Sequence, residues 1–272
     1  MSVITLTTDL GLKDFYVASI KGSIFSELPE ALIIDITHDI PAFNISVAAF
    51  CLKSCYQDFP EGSIHVIGVS PEANEFVKHV VIKHKGHYFI GADNGIFSLL
   101  FEEKIDEVFE INIIPDEDKR TFPTKDVFVK VACHIGRGGT LEIIGTRLEE
   151  LTEKTNFTPV IEEDTIRGMA IYVDSYGNIT TNITKQLFQI VGKNREFKIV
   201  FRRSDYNISK IDFNYSDVPE GEKAALFSNT GHLEIAINKG NASKLFGIKL
   251  SDTIRIEFKS STSEGTSTAG LF

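Results

Sequence analysis

Residues 2–37, SVITLTTDLGLKDFYVASIKGSIFSELPEALIIDIT, read as a strand, a polar turn, a helix and a second strand. Ser2 to Thr8 is apolar and β-branched, and it stops at Asp9-Leu10-Gly11-Leu12-Lys13-Asp14, a run suited to a turn. From Phe15 the apolar residues recur every three to four positions until Pro29 ends the helix. Ala31 to Thr37 is again strand-like. Outward from this unit the alternation continues, with a helix predicted over 44–59 and a third strand over 63–70, SIHVIGVS. Strands separated by helices of this length predict a mostly parallel sheet covered on both faces. Residues 78–93, KHVVIKHKGHYFIGAD, predict a hairpin with Lys85-Gly86 at its turn, and 126–139, DVFVKVACHIGRGG, a helix closed by glycines.

Between Glu149 and Thr165 the pattern dissolves into polar residues around one proline, which predicts a linker. Beyond it MAIYVD, FKIVF, AALFSN, HLEIAIN and TIRIEF are short strands split by Gly, Asn, Asp and Ser, the pattern of a small all-β barrel or sandwich. The expected layout is an α/β domain over 1–150, a linker over 151–165, an all-β barrel-like domain over 166–260 and a frayed Ser/Thr/Gly-rich tail over 261–272.

The chain has 272 residues, 42% hydrophobic and 24% charged, enough for two modest cores and unlike a disordered tail. Its formal net charge of −10 argues against a nucleic-acid surface. No apolar run approaches the ~20 residues that span a bilayer, and the start, MSVITLTTDL, lacks a secretory pattern. Three cysteines are too few for a disulfide framework. A cytoplasmic protein with no membrane or nucleic-acid partner is expected. Cys51 and Cys55 are four apart, but no His or carboxylate cluster completes a metal site with them, so buried thiols are the simpler reading. Nucleophile-elbow, zinc-protease, P-loop and dinucleotide motifs are absent.

Four polar segments stand where strands end, which is where α/β ligand sites form. In the first, 8–14, Asp9 is either the N-cap of the next helix or an acceptor for both hydroxyls of a ribose. The second, Gly91-Ala92-Asp93-Asn94-Gly95, has the composition of a tight turn. The third, 174–182, packs seven polar or glycine positions into nine, more than a hairpin turn needs, and favours a ligand. The fourth, 228–238, reads most simply as a strand pair around Asn229-Thr230-Gly231.

Together TDLGLKDFYVASIKG, DITHDIPAFNISVAAF, GADNGIFS, TFPTKDVF, DSYGNITTNI and SNTGHLEIAINKGNAS resemble the S-adenosyl-L-methionine hydroxide adenosyltransferases, relatives of fluorinase and chlorinase. The resemblance runs from Thr7 to about Gly247. It implies that S-adenosylmethionine is bound as substrate or ligand, with no further cofactor, and attacked at ribose C5′ by water, releasing adenosine and methionine. It also implies a homotrimer with each site between the N-terminal domain of one subunit and the C-terminal domain of its neighbour. By the same resemblance Asp9 matches the ribose-binding carboxylate, Asp14 and Asp174 positions near the methionine moiety, and Phe43 an aromatic beside ribose and sulfonium. Tyr176, Asn178 and Tyr215 match adenine-side positions, and Asn94, Asn229 and Asn238 fall inside matched motifs. The chemistry suits such a site. A sulfonium leaves as a neutral thioether, so displacement needs an in-line nucleophile in a dry pocket and a clamp on the adenosyl group rather than a general acid.

The sequence departs from the family at one point. The hydroxide branch carries an Asp-Arg-His set, but Ser70 stands at the Asp position, Val77 at the Arg position and Pro123 at the His position. Lys78 is one residue late and could supply a displaced positive charge; Glu72, Glu75 or His79 could substitute as base, while Ser70 and Thr124 could orient a water. Thr124 also stands where fluorinase places a halide-contacting serine. However, the long fluorinase insertion is replaced by Lys83-His84-Lys85-Gly86 and the halogenase tyrosine by Ser70, which disfavours halogenation. Two expectations stand: a hydrolase with a rearranged base, or an adenosyl-binding protein that has lost the reaction.

Overall fold

The computed structural model describes residues 2–113 and 121–260, and for 203–206 only the backbone. The chain divides into two compact units, Met1–Asn156 and Phe157–Phe272. The tail expected over 261–272 lies outside the described residues.

The first unit runs β1 (Val3–Thr8), α1 (Tyr16–Glu27), β2 (Leu32–Thr37), α2 (Ile45–Lys53), β3 (Ile64–Gly68), β4 (His79–His84), β5 (His87–Ala92), α3 (Ile96–Leu100), β6 (Glu107–Ile111), α4 (Val129–Gly136), α5 (Leu141–Ile144) and β7 (Gly145–Arg147). Its seven strands are ordered β2-β1-β3-β5-β4-β6-β7. The pairs β2-β1, β1-β3 and β3-β5 are parallel, whereas β5-β4, β4-β6 and β6-β7 are antiparallel. The sheet is therefore mixed, which corrects the mostly parallel sheet expected above. The cause is local. Lys85 and Gly86 take φ of 48° and 78°, the left-handed pair that a two-residue hairpin turn requires, and this folds β5 straight back along β4. Further strands then add antiparallel on the β4 side.

One face of the sheet packs Ile4, Leu6, Val66, Val81 and Ile90 against Ile20 and Ile24 of α1 and Val129, Val131 and Ala132 of α4. On β1 the even-numbered side chains enter this core, because alternate residues of a strand face opposite ways. Thr8 is the last of that even series.

The second unit contains β8 (Val160–Glu162), β9 (Thr165–Val173), β10 (Ile179–Thr184), α6 (Lys185–Gly192), β11 (Phe197–Phe201), β12 (Arg203–Ile208), β13 (Lys223–Phe227), β14 (His232–Ile237), α7 (Ala242–Phe246) and β15 (Thr253–Phe258). The strands run β12-β11-β15-β9-β10-β14-β13, all antiparallel, with β8 beside β9. After β12 the chain returns to β13, where the Asp212 N–H donates to the Ala225 carbonyl at 2.7 Å, so the sheet nearly closes on itself. Its core holds Ile166, Ile179, Ile199, Leu233, Ile235, Ile254 and Ile256.

Candidate functional site

In the first unit the site builds up at the carboxyl ends of β1, β2 and β3. Asp9 follows β1 directly. It is not a helix cap: α1 begins seven residues later, and no side chain bonds its N-terminal amides. Instead Asp9 Oδ2 accepts the Phe43 N–H at 2.8 Å. Phe43 has φ of 62°, a conformation that a bulky side chain rarely adopts, and its ring is 69% exposed. The bond fixes a strained backbone in place, with the Phe43 side chain exposed, and leaves Asp9 Oδ1 without a partner among the described residues. Asp14 is exposed just before α1.

Three further bonds seal the loop after β2 onto the turn after β1. The Gly11 N–H donates to the His38 carbonyl at 2.8 Å, the Ile40 N–H to the Thr8 carbonyl at 3.4 Å, and Thr8 Oγ1 meets His38 Nδ1 at 2.7 Å. His38 Nε2 lies 3.2 Å from Asp35 Oδ1, an ion-pair distance without the alignment of a hydrogen bond. Asp35 Oδ2 takes the Lys21 ammonium at 2.5 Å. Partial burial opposes the charged form of Asp35, but Lys21 and His38 outweigh it and hold its carboxyl below the usual range.

Thr124 sits in a short π-helical turn, Thr124–Phe128, that leads into α4, a distortion often found at functional sites. Its side chain is buried, and Oγ1 has no hydrogen-bond partner among the described residues. The space it occupies exists because residue 68 is glycine: a Cβ there would stand 2.7 Å from Thr124 Cγ2, 2.8 Å from Thr124 Oγ1 and 3.2 Å from Thr8 Cγ2. Thr8 and Thr124 thus meet over Gly68. A buried hydroxyl left unpaired costs about 1–3 kcal/mol, so one retained at a strand end points to a polar occupant.

The candidates for a replacement base are less well placed. Lys78 is paired with Glu110 on β6 at 2.6 Å. His79 donates its Nε2–H to the Pro71 carbonyl at 2.7 Å, and burial lowers its pKa. That bond leaves only Nδ1 with a lone pair. Glu72 and Glu75 are exposed, Val77 is half-buried, and Pro123 is buried at the mouth of the π-helical turn. Asn94 is occupied in holding the backbone. Its amide nitrogen donates to the Val69 and Ser70 carbonyls at 3.3 and 3.0 Å, while its oxygen caps the Ile96 N–H at 3.2 Å. This clamps the loop in which Ser70 takes φ of 45°.

In the second unit 174–178 forms the β9–β10 turn. Both Asp174 oxygens accept from Asn178, Oδ1 from its N–H at 2.8 Å and Oδ2 from its side-chain amide at 3.0 Å. The Tyr176 ring is left 76% exposed. Tyr215 donates its hydroxyl to Glu234 Oε1 at 2.6 Å. Burial raises the pKa of both groups, and the Asp174 charge adds to each rise. Asn229 is exposed in the β13–β14 turn, and Asn238 donates to the Val218 carbonyl at 2.8 Å. Both match the simpler reading of that segment as a strand pair. Sequence reasoning missed His38, Thr8 and Glu234. The Asp35/His38 spacing was the one available signal; Thr8 lies thirty residues from His38 and only the strand pairing unites them.

The chain is a two-unit α/β-plus-β protein, a mixed sheet with acceptor groups gathered at its strand ends followed by a nearly closed antiparallel sheet. Two family profiles match in order, the SAM hydroxide adenosyltransferase N-terminal domain over residues 4–145 and its C-terminal domain over 168–255, and the chain belongs to this family. It is 33% identical over 266 residues to the (R)-S-adenosyl-L-methionine hydrolase of Methanocaldococcus jannaschii, covering 94% of this chain and 96% of that one. A fluorinase of Actinopolyspora mzabensis is 22% identical over 289 residues, covering 93% and 96%. The crystal structure of a conserved Thermotoga maritima protein superposes with a TM-score of 0.83 at 31% identity, covering 94% of this chain and 99% of that one. No helix among the described residues is long and apolar enough to cross a membrane.

Proposed function

We propose that this protein hydrolyses S-adenosyl-L-methionine to adenosine and L-methionine, water attacking ribose C5′ while methionine leaves as a neutral thioether. The observation that carries the reading is the Asp9–Phe43 clamp, in which a carboxylate with one oxygen unspent holds the strained backbone of an exposed aromatic residue. The carboxylate takes the ribose hydroxyls and the Phe43 face lies against the sulfonium, where a cation gains from the ring quadrupole. Thr124 offers its unpaired hydroxyl to the attacking water or its neighbour. Asp14 and Asp174 take the methionine end, and Tyr176, Asn178 and Tyr215 the adenine. Ser70, Asn94, Asn229 and Asn238 support the loops around the ligand.

The working assembly is a cytoplasmic homotrimer with sites shared between subunits. Support comes from large apolar side chains left in the open on each unit, Phe43 on the first, and Tyr176 and the 92% exposed Phe213 on the second. The absence of the family's Asp-Arg-His set at Ser70, Val77 and Pro123 favours one second reading, an adenosyl-binding protein without turnover. Chromatography of S-adenosylmethionine incubated with the pure protein, with and without chloride, separates them. Adenosine above the no-protein rate supports hydrolysis, binding without product supports the second reading, and a chlorinated nucleoside refutes both.

A further inference from the structure

The family's water-activating set is missing, yet a different chain of proton-bearing groups ends on the neighbouring strand, at Thr8, which pairs with Gly68 at the end of β3. It runs from Lys21 Nζ to Asp35 Oδ2 at 2.5 Å, from Asp35 Oδ1 to His38 Nε2 at 3.2 Å, and from His38 Nδ1 to Thr8 Oγ1 at 2.7 Å. Thr8 is fully buried and His38 nearly so, while Asp35 and Lys21 reach the surface. Thr8 precedes Asp9 and pairs with Gly68 on β3, over which the Thr8 methyl lies beside the Thr124 side chain and its unpaired hydroxyl. A hydroxyl, an imidazole and a carboxylate in this order form an arrangement that can move a proton from the interior outward.

We propose that His38, acting through the Thr8 hydroxyl, accepts the proton of the attacking water, with Asp35 and Lys21 fixing and balancing the imidazole. This rests on the hydrolase reading and deepens it. The neutral tautomer carries its proton on Nε2, facing Asp35, and leaves the Nδ1 lone pair for the Thr8 proton. Thr8 Oγ1 receives the Leu10 N–H at 3.3 Å and keeps one lone pair for a water held with Thr124. In the step, the water oxygen bonds to C5′ as the C5′–S bond breaks and its electron pair stays on sulfur. The water proton passes to Thr8 Oγ1 while the Thr8 proton passes to His38 Nδ1. The imidazolium so formed lies against the Asp35 carboxylate, and its proton leaves to solvent along the exposed side of Asp35. The charged groups around His38 are Asp35 on β2, Lys21 on α1 through Asp35, Asp39 beside it in the chain, and Asp9 next to Thr8. Thr8 touches the reacting water, whereas His38 and Asp35 act through it as positioning residues.

The test compares Thr8→Val, Thr8→Ser, His38→Gln and Asp35→Asn with wild type, reading adenosine release from S-adenosylmethionine, adenosine affinity by calorimetry, and melting temperature. Loss of a general base costs about 10²-fold or more. Thr8→Val and His38→Gln are expected to lose kcat on that scale with KM and adenosine affinity within about twofold of wild type, and Thr8→Ser to restore most of the rate. If a buried variant melts early, Asp35→Asn, at a half-exposed position, carries the same comparison. An active wild type with unaffected variants overturns the relay alone, and so does a rate loss matched by an equal loss of adenosine affinity, which would make His38 only a strut for the Asp9 turn. A wild type that releases no adenosine overturns the hydrolase reading, and the relay with it.

Discussion

Asp9→Asn separates the two roles of the residue at the end of β1. The amide oxygen of asparagine can still accept the Phe43 N–H that Asp9 Oδ2 now takes at 2.8 Å, so the backbone at φ 62° stays fastened. A hydrogen bond to a charged group contributes about 1.5–3 kcal/mol against about 0.5–1.5 for a neutral one, so this exchange costs about 1 kcal/mol of stability. The other oxygen position fares worse. A carboxylate oxygen accepts from both ribose hydroxyls, whereas the asparagine NH2 only donates. Two weakened bonds amount to about 2–3 kcal/mol, or about 30- to 140-fold in adenosine affinity. Asp9→Ala removes both functions, releasing Phe43 as well as the ribose, and adenosine binding should fall below detection. Calorimetric titration with adenosine gives the affinity, and thermal unfolding confirms that the variants fold. A folded Asp9→Asn variant that binds adenosine as wild type does would refute the assignment of Asp9 as the ribose acceptor.

Restoring the family set with Ser70→Asp, Val77→Arg and Pro123→His together should raise adenosine release sharply. Ser70 already takes φ of 45°, a region that aspartate tolerates better than most residues; a folded, ligand-binding triple variant as slow as wild type would show that these positions are not the family's catalytic ones. Gly68→Ala should lower stability by about 1–3 kcal/mol through overpacking and displace Thr124, since the added Cβ meets Thr124 at 2.7 Å; an unchanged melting temperature would contradict the close approach. His65 bonds Thr5 at 2.8 Å and His87 at 3.2 Å, and burial, reinforced by His87, pushes its pKa down to about 3. The unfolded chain therefore takes up this proton near pH 6.5 and the folded one only near pH 3, so stability is full above pH 6.5 and falls toward pH 3 by up to roughly 4–5 kcal/mol; chemical unfolding across that range should show the slope, and His65→Gln should flatten it. Light scattering should report three chains per particle, and a clean monomer would remove the shared-site picture.

How much of this was legible varies with the length scale of the cause. The β1–α1–β2 reading succeeded because its signals are local: a β-branched run, a three-to-four spacing, and a proline stop. The arrangement of the sheet was half legible, because the Lys85-Gly86 hairpin was visible but the antiparallel β6 and β7 beyond it were not read. β10 was not read as a strand, because most of it falls in the polar segment 174–182 that was taken to favour a ligand. Thr180 and Thr181 are buried, Thr181 donates its hydroxyl to the Leu233 carbonyl at 3.0 Å, and Asn182 accepts the Met169 N–H at 2.8 Å. Polar side chains that satisfy themselves on neighbouring strands leave no hydrophobic trace in one sequence. At the site, the position of Asp9 at a strand end was readable, but its bond to Phe43 was not. Lys78 and His79 looked available only because their partners, Glu110 and the Pro71 carbonyl, are set by tertiary packing. His38 was overlooked for the same reason.

The central claim is that water attacks C5′ of S-adenosylmethionine on this protein. Turnover in ¹⁸O-labelled water, with mass spectrometry of the nucleoside released, tests it directly. Adenosine carrying one ¹⁸O at its 5′-oxygen is the predicted product; unlabelled adenosine, or none above the no-protein rate, would contradict the claim.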